Sequence, residues 1–190
     1  MTAATTSADT RNTFESTIGG YTVSGRAHSL SAWFVLSLRL MMGWAFAYSG
    51  FDKITAGGFD AAGYLTFSAA TNGNPLAGMF EWMGTTPWFV EFVNVAVPWG
   101  ELFIGLGLLV GAMVRLAAFF GALMMFMFYF GNWSVEHGHI NGDFAYMLVF
   151  LAVAAFGAGR ILGLDRYIER YEIGGRTLLE RYPKLDYVLG

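Results

Sequence analysis

The chain has 190 residues, a formal net charge of -3, 55% hydrophobic residues and only 13% charged ones. It lacks cysteine, which excludes a disulfide framework, a thiol relay, an iron–sulfur cluster and cysteine-ligated zinc on this chain. The weak charge gives no footing for nucleic acid, and apolar runs of about 20 residues place the chain among polytopic membrane proteins.

The expected fold class is all-α, a four-transmembrane-helix bundle with a long outer loop that carries short interfacial helices. Residues 1–28 are rich in Thr, Ser and Ala and read as a flexible tail. Residues 29–164 form the membrane domain. Its first span, about 30–49, contains Arg39. At roughly 13–14 Å from the start of the run, that arginine falls near the middle of a hydrocarbon core about 30 Å thick. A charge there is costly and must face the interior and find a partner. Gly43, Ala47 and Gly50 recur at near-helical spacing and allow a second helix to approach closely.

Residues 51–88 form the longest connection, punctuated by Gly57-Gly58, Asn72-Gly73-Asn74-Pro75 and Thr85-Thr86-Pro87. The apolar pieces Phe59 to Ala70 and Leu76 to Met83 read as two short interfacial or re-entrant helices over the outer face. The second span, 88–114, holds Pro98, Glu101 and Gly105, and Pro98 is expected to kink it. Arg115 marks a tight hairpin into the third span, 116–133, which is rich in Met and aromatic residues. A polar loop with His137 and His139 follows. Asn141 is placed to cap the fourth span, 143–162. Residues 165–190 form an amphipathic tail. An acid-Arg-Tyr triplet occurs there three times, at Asp165, Glu169 and Glu180, and Gly174-Gly175 breaks its helical phase.

Lys and Arg set the orientation. Arg11, Arg26, Arg115, Arg160 and the basic residues of the tail fall on one side, and only Lys53 falls on the other. By the positive-inside rule both termini are cytoplasmic. The long loop and the two-histidine loop then share an acidic outer side.

Four constellations carry possible chemistry. Arg39 and Glu101 are expected to pair at mid-depth, as a structural staple or as the floor of a polar pocket for a quinone headgroup or a proton path. Lys53 is either a snorkelling anchor or a lone positive charge that orients an anion or a quinone carbonyl. His137 and His139, with Glu136 and Asp143, supply part of a metal site or simply a polar loop. No complete ligand set is visible, so no metal is assigned. No histidine lies inside a span, which argues against an internal bis-histidine haem. Trp99 and Tyr129 are lipid-facing packing or the walls of a site for a flat cofactor. The candidate quinone-binding set is therefore Arg39, Lys53, Trp99, Glu101 and Tyr129, with His137 on the outer side toward an electron donor. Asn132-Trp133-Ser134 is a glycosylation triplet on that same side.

The segments RLMMGWAFAYSGFDK (Arg39, Gly43, Gly50, Lys53), GELFIGLGLLVGAMVRLAA (Glu101, Gly105, Arg115) and GAGRILGLD (Gly157 to Asp165) give the chain its family likeness. In order and spacing, over roughly residues 30–166, they resemble the DoxX/DoxD family of small membrane proteins. The loop FDAAGYLTFSAATNGNPLAGMF is similar to the DoxD-type branch. Where relatives often read Gly-Pro-Gly, this chain has Gly157-Ala158-Gly159. The resemblance implies a four-helix bundle in the cytoplasmic membrane. In the DoxD branch it also implies a subunit of thiosulfate:quinone oxidoreductase, which works with a second subunit, DoxA. The expected cofactor is a quinone. The expected partners are the bilayer and either a DoxA-like redox subunit or further copies of the chain. The alternative is a non-catalytic scaffold or accessory subunit whose buried Arg-Glu pair is structural.

Overall fold

The structure, a computed structural model, describes residues 13–134 and 138–190. The chain divides into a short N-terminal unit that ends at Phe34 and a large unit, Val35–Gly190.

In the short unit, β1 (Thr13–Ile18) and β2 (Tyr21–Arg26) form an antiparallel hairpin, with Ile18 opposite Tyr21 and Thr13 opposite Arg26. Residues 13–26 are thus not the flexible tail expected from composition. Thr, Ile, Tyr and Val favour extended backbone. Gly19 and Gly20, at φ 58° and 86°, supply the two left-handed residues that a tight hairpin turn needs.

The large unit is helical. Helix α1 (Ser31–Ala56) enters it at Val35. It is followed by α2 (Ala61–Ala70), α3 (Ala77–Thr85), α4 (Pro87–Val110), α5 (Val114–Gly131) and α6 (Gly142–Ala155). Helices α1, α4 and α5 are long and apolar enough to cross a bilayer. The protein is a helical polytopic membrane protein. The four-span count is not exact, because the expected fourth span, 143–162, is a helix of 14 residues, and about 20 are needed to cross alone. Helix α6 stops where Gly157 turns left-handed at φ 59° and opens a 3₁₀ turn, Ala158–Arg160.

One core joins the four long helices. Met42 and Phe46 of α1 meet Ile104 and Leu108 of α4, Ala118, Ala122 and Met125 of α5, and Phe150 and Val153 of α6. Helices α1 and α4 run antiparallel with their backbones nearly touching. A Cβ at Gly105 would run into the Ala47 backbone, and one at Gly50 into that of Leu102. Small residues at these positions allow that approach.

The two helices expected in the long connection are present as α2 and α3, and they cover one end of the bundle. Asp60 caps α2 by accepting from the Ala62 N–H at 3.0 Å, and Asn94 of α4 accepts from the Ala61 N–H at 2.7 Å. The buried Asn74 amide donates to the Ser68 and Phe130 carbonyls, at 2.8 and 2.9 Å, and so ties this roof to the end of α5. Ala61, Leu65 and Phe80 form a second core beneath it.

At the opposite end the chain folds back onto the α4–α5 turn. The α4–α5 connection is three residues, with Gly111 and Met113 both left-handed. After α6 come α7 (Asp165–Arg170), a small hairpin of β3 (Glu172–Ile173) and β4 (Arg176–Thr177), α8 (Leu178–Arg181) and a 3₁₀ turn, Pro183–Tyr187. Gly174-Gly175, expected to break the tail's helix, forms the hairpin turn.

Candidate functional site

Beneath the roof, between α4 and α5, lies a cavity of about 750 Å³ that Lys53 of α1 also lines. Helical phase decides which side chains line it. On α4 these include Phe92, Val93, Val97, Gly100 and Glu101; on α5 they include Phe120, Leu123, Met124 and Phe128. The roof contributes Tyr64, Leu65, Phe80 and Met83. The walls are almost wholly apolar or aromatic, and the volume falls in the usual range for small-molecule sites, about 300–1,000 Å³.

Lys53 and Glu101 supply the charge in this wall. Lys53 Nζ donates to Glu101 Oε2 at 2.6 Å and to Ser49 Oγ at 2.6 Å. The Glu101 side chain is 5% exposed and that of Lys53 26%. The pair is neutral as a unit, which is the tolerable form for charges in an apolar surround. An ammonium has three N–H donors; two are used in these bonds. The nitrogen also stands 5.9 Å from the centre of the Phe59 ring.

Tyr64 is the roof's polar residue at the cavity. Its hydroxyl is buried against Gly131 and has no hydrogen-bond partner among the described residues. Burial, helped by the Asp143 carboxylate, pushes the phenol up to about 12. The Ser68 hydroxyl acts weakly in the other direction and spends its own proton on the Tyr64 backbone carbonyl at 2.8 Å.

The expected Arg39–Glu101 pair does not form. Arg39 is 1% exposed but lies level with the α4–α5 turn, and a Cβ at Gly111 would sit 3.0 Å from its Nη1. Its Nη1 donates to the carbonyls of Ala158 and Ile161 at 2.6 and 2.8 Å, and its Nη2 to that of Leu162 at 3.4 Å. These carbonyls follow the end of α6, where the chain leaves the helical hydrogen-bond ladder and a cation is favoured. Because α1 continues to Ala56, its centre falls near Gly43 rather than at Arg39, which therefore lies toward the α4–α5 turn and away from Glu101.

Beside Arg39, the fully buried Asp165 carboxylate accepts from the N–H groups of Met113, Val114 and Gly190 at 2.7, 2.9 and 3.0 Å. It thereby caps the start of α5. Arg115 Nη1 pairs with Asp186 at 3.1 Å, and Arg160 pairs with Glu169 and Asp186, each at 2.9 Å. The conspicuous GAGRILGLD segment is therefore a structural closure of the end opposite the cavity.

Of the other expected site residues, Trp99 is 45% exposed and stands 5.8 Å from Phe103, outside the cavity lining. Tyr129 turns toward α6 and donates to the His139 carbonyl at 2.9 Å. His137 lies outside the described residues. Asn132, of the glycosylation triplet, lines the cavity and donates its amide to Asp143 at 2.8 Å. The sequence reading missed Tyr64, Phe80 and Met83, because nothing local says which face of a short loop helix turns inward. Met124 and Phe128 were within reach, since they share a helical face with Phe120 and Leu123 and Tyr129 does not.

The fold and cavity define a small helical membrane protein with a neutral ion pair at the wall of an apolar ligand-sized chamber. The DoxX family signature matches residues 34–136, more than half the chain, and the protein belongs to that family. Neither a curated protein nor a solved structure matches the chain.

Proposed function

We propose that the protein is a quinone-handling membrane subunit of a redox complex of the thiosulfate:quinone oxidoreductase type. The observation that carries this reading is the Lys53–Glu101 pair in the wall of an otherwise apolar and aromatic chamber. A quinone is flat, neutral and apolar apart from its carbonyl oxygens. The remaining N–H of Lys53 suits such an acceptor, and the ring walls suit its plane. Glu101 holds the ammonium in place and cancels its charge.

That cancellation bears on the electron donor. Thiosulfate is a dianion, and the cavity offers it no net positive charge. Its oxidation is assigned to a partner subunit, DoxA-like in the proposed complex, which delivers electrons to the quinone here. Charge distribution supports a plasma-membrane protein with both termini cytoplasmic and the roof facing outward. The Arg39 closure, a buried charge used wholly on the chain's own backbone, favours the alternative reading, a non-catalytic membrane scaffold or accessory subunit.

The test is quinone binding by the purified protein in lipid nanodiscs, using a decyl-tailed benzoquinone as probe. Lys53→Met is expected to weaken binding by on the order of tenfold, the effect of one charge-assisted hydrogen bond. Binding unchanged in both Lys53→Met and Glu101→Gln, with the fold retained, would refute the site. No binding by the native protein would refute the quinone reading and leave the scaffold.

A further inference from the structure

The lining of the cavity is not equally buried all round. At the roof, Ala61, Leu65 and Phe80 are between 2% and 5% exposed. Along the membrane-spanning helices, Phe92 and Phe103 of α4 and Phe120 and Leu123 of α5 also line the cavity but are between 47% and 63% exposed. The register of the two helices puts the last three together. Gly107 faces Ala117 and Gly100 faces Met124, so Phe103 stands across from Phe120, and Glu101 is level with Leu123. Gly100 leaves the gap between the helices open, and a Cβ there would touch Met124 Cε at 3.3 Å.

We infer that the cavity is loaded sideways from the bilayer, through a mouth between Phe103 on α4 and Phe120 and Leu123 on α5, by an amphiphile with a neutral acceptor head. The head goes to Lys53, and the apolar tail lies in the mouth and continues into the lipid. This rests on the reading of the cavity as a ligand site. It adds the route and the requirement for a tail. The physical reason is the contrast in exposure. The water-side end is sealed by two helices and the Asn74 and Asn94 anchors, whereas the mouth is lined by side chains that need no desolvation to meet a hydrocarbon chain. A water-soluble head without a tail has no comparable path.

The experiment uses the full chain in nanodiscs with a benzoquinone whose decyl tail ends in a diazirine. After photolysis, adducts are expected on α4 and α5 peptides containing Phe103, Phe120 or Leu123. Leu123→Trp, which narrows the mouth, is expected to slow loading by on the order of tenfold. Adducts on α2 or α3, with quinone still bound, would overturn the sideways route and leave the quinone site standing. Loading at the native rate in a folded Leu123→Trp protein would do the same. A diazirine phospholipid that labels the mouth undiminished by excess quinone would assign the cleft to bilayer acyl chains and overturn the inference. No quinone binding by the native protein would remove the ligand site itself.

Discussion

Glu101 accepts from Lys53 at 2.6 Å, while Arg39 is spent on backbone carbonyls at the other end of the bundle. The two buried charges that the sequence invites one to pair therefore serve separate places. One faces a cavity, and the other closes a helix end.

The ion pair makes a stability cycle informative. Lys53→Met strands a carboxylate that is 5% exposed and is expected to cost about 2–4 kcal/mol. The double variant Lys53→Met/Glu101→Leu is expected to recover most of that loss, because no charge is left buried. Unfolding in mixed micelles by a denaturing detergent would measure both. A double variant no more stable than Lys53→Met would show that the carboxylate is not held by the lysine.

The α1–α4 contact separates glycines by their surroundings. Gly105→Ala drives a methyl into the Ala47 backbone and Gly50→Ala drives one into that of Leu102. Both are expected to lose folded yield, at a cost of about 1–3 kcal/mol or more. Gly63 in α2 has nothing within 4 Å of an added Cβ. Gly63→Ala is expected to be neutral or to stabilise by up to about 1 kcal/mol. Equal melting temperatures for Gly105→Ala and Gly63→Ala would contradict the packing.

Arg39→Lys tests whether shape or charge matters at the closed end. Three carbonyls are met by the spread of one guanidinium, a geometry that a single ammonium does not reproduce. The lysine variant is expected to lose about 2–3 kcal/mol while quinone binding in the surviving folded protein stays within twofold, roughly the scatter of distant sites. A binding loss like that of Lys53→Met would place Arg39 in the ligand site after all.

Tyr64 gives a pH signature. Its phenol is raised from 10.0 to about 12. A group raised in the folded state contributes stability that is complete below its unfolded value and is lost as pH rises toward the folded one. The native protein is expected to lose on the order of 1–2 kcal/mol between pH 10 and 12, solvent screening of the part-exposed residue allowed for, that Tyr64→Phe does not lose. At pH 7 the phenylalanine is expected to be neutral or stabilising, since the hydroxyl it removes is buried without a partner. Melting curves at pH 8–12 for the two proteins decide it.

Much of this protein was legible in its amino acids. Apolar runs and breakers placed α1, α4, α5, the α4–α5 hairpin and the two roof helices, because hydrophobic periodicity and turn residues act locally. Gly43, Ala47 and Gly50 announced a close helix contact, and Asn141 its cap, which accepts from the Phe144 N–H at 3.0 Å. The N-terminal hairpin was missed, because the Thr- and Ser-rich composition outweighed the turn signal of Gly19-Gly20 between β-favouring residues.

Partner choice was decided only in three dimensions. Helix phase and length, summed over α1, place Arg39 at one end and Lys53 beside Glu101, and a span estimate a few residues too short reverses that choice. The end of α6 was set by a turn that folds back to offer carbonyls to Arg39 and a carboxylate to α5. The cavity depends on two loop helices whose inward faces, Tyr64 and Phe80 among them, are selected by packing against α4 and α5. Composition determined that charges in this chain would need partners; the tertiary structure decided which ones, because hydrogen bonds and ion pairs act over a few ångströms and only the folded backbone sets those distances.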